Sequence, residues 1–161
     1  MKPELEKQLI EKYPKIFQIS EGRRMLPFPM FGIECGDGWY NILNSLCFQI
    51  QSYIDWREKF NQGIIERNKK EDPEGHINQQ MLQEYIPQVV VSQVKEKFGT
   101  LSFYYDGGDE KIDGMVRMAE AMSAVTCEVC GNAGKFRGRG WYYTSCDEHA
   151  REEDEDEVAT S

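Results

Sequence analysis

Three cysteines and a histidine fall in two close pairs: Cys127-x2-Cys130 and, after fifteen intervening residues, Cys146-x2-His149. Thiolate and imidazole are donors that zinc favours, and two close pairs complete a tetrahedron with little strain in the chain. One zinc ion per chain is therefore expected on Cys127, Cys130, Cys146 and His149. Gly131 follows the first pair directly, where a residue without Cβ lets the backbone turn sharply around a metal. Four protein ligands form a closed set with no position left for water, so the expected role is structural rather than catalytic. Ordinary buried thiols and a surface histidine are the bland alternative, and two matched pairs argue against it.

Three further groups of residues can do chemistry, each with a plainer reading beside it. Lys135, Arg137 and Arg139, with Trp141, make a basic, aromatic hairpin that can contact phosphate or an acidic partner surface. It is equally the exposed edge of a zinc lobe. Lys95 and Lys97 beside Tyr104 can hold an anion such as a nucleotide, with the ring for stacking. A solvated sheet face is the plainer reading, since antiparallel sheets often wet one side. The loop around Asp37, Trp39 and Tyr40 can line a pocket at a helix N-terminus, where backbone N–H groups attract anions. It reads as well as an N-cap at Asp37 with Trp39 as a core anchor. Cys35 lacks the neighbouring base that a nucleophile needs.

These residues need elements to position them. Pro3 suits the first turn of a helix, and Leu5, Leu9 and Ile10, then Tyr13, Ile16 and Phe17, recur at helical spacing to about Phe17. The stretch from Gly22 to Gly38 reads as a loop that packs on the body. A second helix is expected from Asp37 onward, with Trp39, Ile42, Leu43, Leu46, Cys47, Ile50 and Ile54 on one face, running toward Ile65. Glu66 to Gln80 reads as an exposed loop. Gln88 to Lys97 and Leu101 to Tyr105 read as paired strands joined at Phe98-Gly99-Thr100. Alternation directs Val90, Val94, Leu101, Phe103 and Tyr105 to a core. Asp109 to Val125 returns to helical spacing through Ile112, Val116, Ala119 and Met122. Lys135 to Arg137 and Trp141 to Thr144 read as a short hairpin, and Cys146 opens a helical start with acidic residues in its first turn.

The chain has 161 residues, 40% hydrophobic and 12% aromatic, which suits one globular domain with a small attached lobe. The boundaries expected are an α+β body at 1–125, a zinc-binding lobe at 126–151 and a disordered acidic tail at 152–161. Of the net charge of −9, most sits in the stretch from Arg151 on, with six acidic residues and one Arg. The remaining acidity argues against sequence-blind nucleic-acid binding, which needs clustered Lys and Arg. Sequence-specific reading of nucleic acid is not expected either. No apolar run reaches membrane-span length and no signal-peptide core is present, so a cytoplasmic protein is expected. Five cysteines, four ligand-type residues in zinc spacing, make a disulfide framework the poorer reading.

Knuckle, hairpin and a helix carrying the second ligand pair resemble a treble-clef zinc finger. Some metal-dependent nucleases share that scaffold, but they need a further histidine near the hairpin. The second histidine of this chain, His76, lies in the polar loop, so enzymatic activity is not the leading expectation. A wider set of motifs, Cys35-Gly36-Asp37-Gly38-Trp39, Val94-Lys95-Glu96-Lys97-Phe98-Gly99-Thr100-Leu101, Met118-Ala119-Glu120 and Cys127-Glu128-Val129-Cys130-Gly131, with Trp141 and Cys146-Asp147-Glu148-His149-Ala150, resembles a group of small uncharacterised phage and prophage proteins. That resemblance implies an accessory or counter-defence role against a host protein, in host cytoplasm. The expectation is an α+β fold, helices packed on a small antiparallel sheet with a C-terminal treble-clef-like zinc lobe, acting as a non-enzymatic binding protein. Sequestration of a small anionic ligand such as a nucleotide signal, and a nuclease or hydrolase, are the alternatives.

Overall fold

Residues 1–18, 30–71 and 79–151 are described by the computed structural model. The first helix, α1 (Pro3–Lys12), has Pro3 in its first turn and buries Leu9. It ends sooner than the apolar spacing suggests. Tyr13, Ile16 and Phe17 stay in the core but lie in turns beyond the helix. The Ile16 carbonyl accepts from the Val91 N–H and so ties this segment to the sheet.

A two-residue strand, β1 (Ile33–Glu34), follows, then a 3-10 turn at Asp37–Trp39 and one long helix, α2 (Tyr40–Glu71). The apolar stripe lies where periodicity puts it, with Leu43, Cys47 and Ile50 fully buried. Asp37 does not cap α2. Its carboxylate accepts from the Lys2 N–H at 2.7 Å and pairs with Lys2 Nζ at 3.1 Å, at the start of α1. Residues 66–71, expected in a loop, are the last turns of α2.

The strands β2 (Val90–Lys97) and β3 (Thr100–Asp106) pair antiparallel. Phe98 and Gly99 both take positive φ, 53° and 83°, giving the paired left-handed turn that suits a two-residue hairpin. The sheet is mixed rather than purely antiparallel, because β1 adds to β2 in parallel, Ile33 opposite Val94. A register shift between Val91 and Gln93 lets Val91 and Val94, three residues apart, face the same core; Val90, expected there, is buried outside that cluster.

Helix α3 (Glu110–Ser123) starts at Asp109, whose carboxylate accepts from the Lys111 and Ile112 N–H groups. It packs on α2 and β3, burying Ile112, Val116 and Ala119. Two short strands, β4 (Lys135–Arg137) and β5 (Tyr143–Ser145), form the expected antiparallel hairpin. The fold is α+β: helices packed on a small sheet, with a C-terminal lobe carrying a Cys/His cluster. No helix among the described residues is long and apolar enough to cross a membrane.

Candidate metal centre and adjoining groove

The first ligand pair lies on a tight turn. The Gly131 N–H bonds to the Cys127 carbonyl at 2.9 Å and Gly131 takes φ 81°. The Cys127 N–H bonds to the Asn132 carbonyl at 2.8 Å. The second pair spans a single 3-10 turn, Asp147–His149, with Ala150 already extended. This is shorter than the helix a treble clef carries there. The turn nonetheless brings Cys146 and His149 onto one side.

The four donor atoms lie within 4.8 Å of one another. Cys130 Sγ and Cys146 Sγ are 3.7 Å apart, Cys127 Sγ and His149 Nδ1 3.7 Å, Cys146 Sγ and His149 Nδ1 3.1 Å. Metal–sulfur bonds of about 2.3 Å at tetrahedral angles put sulfurs about 3.8 Å apart. The cluster therefore has the dimensions of a tetrahedral metal site. Burial alone would push the Cys127 thiol up, but N–H groups of Cys146, Cys130 and Val129 and the Cys130 thiol hold it down to about 6. Thiolate is the form a metal takes.

The loop Gly36–Trp39 is spent on seating this turn. The Gly36 N–H bonds to Glu128 Oε1 at 2.8 Å, the Gly38 N–H to the Glu128 carbonyl at 2.8 Å, and Trp39 Nε1 to the Thr126 carbonyl at 2.8 Å. A Cβ on Gly36 would lie 2.2 Å from the Glu128 carbonyl oxygen, so only glycine admits this approach. Trp39 is completely buried and its ring cannot meet a ligand. Burial raises the Glu128 carboxyl above the usual carboxylate range. A second seat lies at the β2–β3 turn. Thr144 Oγ1 donates to the Gly99 carbonyl at 2.7 Å, and a Cβ on Gly99 would lie 2.7 Å from the Phe136 ring.

The other candidate ligand residues are not gathered into one pocket. Asp37 and Tyr40 turn to α1, Tyr40 donating to Gln8. Lys95 Nζ lies over the Tyr104 ring at 5.6 Å, with Glu34 in register beside Lys95, while Lys97 lies over Phe98. On the hairpin, Lys135 pairs with Asp147 at 3.0 Å and Arg137 pairs with the same carboxylate. That arrangement satisfies the two cations internally and holds the Asp147 carboxyl below its usual range. Arg139 is exposed, and Trp141 is 70% exposed at the hairpin tip. Burial pushes the Cys35 thiol up to about 12, the reverse of an activated nucleophile. His76 and the acidic tail lie outside the described residues.

One feature escaped the sequence. A groove of about 360 Å³ runs between α2 and α3, closed at one end by Gly38, Thr126 and Gly131 of the metal turn and its seat. One wall carries Asn41, Ser45 and Gln49, spaced four apart on α2; the other carries Met115, Met118 and Met122 of α3. Met122, expected in the apolar core stripe, is 50% exposed, and Met118 64%. Closely spaced methionines were the available signal. No protein-family model, curated protein or solved structure matches this chain.

Proposed function

We propose that the chain is a zinc-stapled, non-enzymatic binding protein that takes a helix of a partner protein into the groove between α2 and α3. The groove carries this reading. It is uncharged, with a ladder of neutral polar side chains facing a wall of adaptable methionines, the kind of surface that accepts an amphipathic helix. Zinc is the ion that three thiolates and one imidazole at tetrahedral spacing favour. Because the ligand set is closed, zinc here holds the turn that ends the groove and supplies no reaction. The likeness to small phage proteins supports a host protein as the partner and a counter-defence or other accessory role in host cytoplasm.

The test is photocrosslinking from inside the groove. Benzoylphenylalanine in place of Gln49 should give one discrete adduct in host cells, and the same probe in place of exposed Lys7 should not. The adduct should vanish with Met118→Asp and Met122→Asp, while elemental analysis still finds one zinc per chain. Adducts that survive both substitutions, or a groove probe that captures nothing, would overturn the reading.

A further inference from the structure

The far half of α2 holds a second arrangement, separate from the groove. Residues 79–86 run along it without helix or strand pairing. Two asparagines grip the main chain of this strap. Asn61 Nδ2 donates to the Gln83 carbonyl and Asn61 Oδ1 accepts from the Gln83 N–H, both at 2.8 Å. Asn68 repeats the pattern on Gln80 at 2.9 and 3.0 Å. Arg57 Nη1 donates to the Glu84 carbonyl at 2.8 Å.

The spacings match. Asn61 and Asn68 are seven residues apart, about 10.5 Å along a helix and nearly the same face. Gln80 and Gln83 are three residues apart, roughly 9.3 Å along a polyproline II chain, whose period of three turns both peptide units the same way. Ile86, three further on, is again turned inward at 3% exposure. An Asn amide offers one donor and one acceptor side by side, the complement of one residue's N–H and C=O.

Nearly all this recognition goes to the main chain. Among the described residues, Gln80 is the one strap side chain held by α2 through a hydrogen bond, from Arg67 at 2.8 Å. The large apolar side chains gain little from the seat: Met81 is 87% exposed, Tyr85 76% and Leu82 51%. Crevices of about 480 and 630 Å³ open along the strap, the first lined by Gln79 to Leu82 and the second by Leu82, Gln83, Tyr85 and Ile86, so it does not fill the face on which it lies.

We infer that Asn61, Asn68 and Arg57 form a main-chain binding site on α2 for an extended polypeptide segment, and that residues 79–85 occupy it as a resident pseudo-ligand. A site that reads main chain tolerates many sequences. An occupant whose apolar side chains stay in water has little to lose on displacement by a segment that buries its own side chains in those crevices.

The test weakens the resident segment and offers it back in trans. In the full-length, metal-loaded chain, Gln80→Pro with Gln83→Pro removes both strap N–H donors that Asn68 and Asn61 accept from. A fluorescent synthetic peptide of residues 79–85 should bind this variant at least tenfold more tightly than wild type. Adding Asn61→Ala and Asn68→Ala should abolish that binding. A folded double-proline variant without saturable binding, or binding that survives loss of both asparagines, overturns the inference. Should the double-proline chain not fold, the wild-type protein decides. Its Asn61 and Asn68 side-chain amide NMR signals should shift on titration with millimolar peptide, and no shift at either overturns the inference.

Discussion

A methyl group on Gly38 would lie 2.1 Å from the Cys127 carbonyl oxygen and 2.5 Å from the Gly131 nitrogen, both rigid backbone atoms of the metal turn. Gly114, inside α3, has nothing within 4 Å of the same position. The two glycines should respond oppositely to alanine. Gly38→Ala should cost about 1–3 kcal/mol by overpacking and weaken metal retention against a chelator. Gly114→Ala should stabilise by about 0.5–1 kcal/mol, since it lowers the entropy cost of ordering the helix. Urea denaturation of the two variants reads both signs. Sequence pattern marks Gly36 and Gly38 as a loop and leaves Trp39 open between core anchor and ligand contact. It does not show what the glycines face, because their partners lie some ninety residues further along the chain. Asp37 is a similar case: a carboxylate before a helix reads as that helix's cap, but the nearer donor is the Lys2 N–H of another helix.

At the level of elements, α3 covers the outer edge of β3. The Leu101 N–H bonds to Ser123 Oγ at 2.8 Å and the Phe103 N–H to Glu120 Oε1 at 3.0 Å, while Tyr105 donates to Asp113. Unpaired strand edges invite pairing with other chains, and here helix side chains occupy the donors. Ser123 is fully buried, and Ser123→Ala would leave the Leu101 N–H without an acceptor. A loss of about 1–3 kcal/mol is expected in urea melts, with faster hydrogen exchange at Leu101. Long elements with strong periodicity were legible: the apolar face of α2, the β2–β3 hairpin and α3 all lie close to where pattern puts them. Short or wholly polar ones were not. Two residues of β1 carry no period. The end of α2, Glu66 to Glu71, has no apolar face to announce a helix, and Asn68 and Arg67 there bind the strap instead.

Across the whole molecule, the metal cluster should decide whether the lobe stays seated. With metal bound, alkylation at pH 8 should label no cysteine. After chelation, Cys127, Cys130 and Cys146 should label, while Cys35 and Cys47 stay unmodified, because burial pushes both thiols up to about 12 and keeps them neutral at that pH. Mass spectrometry of the digested protein counts the labels, and modification of Cys35 before the cluster cysteines would contradict the packing described. Acid should mimic chelation, since protons compete with the metal for thiolates. The cluster was legible because its ligands come in short local spacings. The groove and the strap clamp were not, because each is assembled from elements distant in sequence. The same separation sets a timetable for synthesis. The Gly36, Gly38 and Trp39 donors leave the ribosome long before Thr126 and Glu128 exist to accept from them, and the last metal ligand, His149, comes later still. The segment around Gly36 must therefore wait with this seat open, and the lobe can dock on it only once His149 has been made.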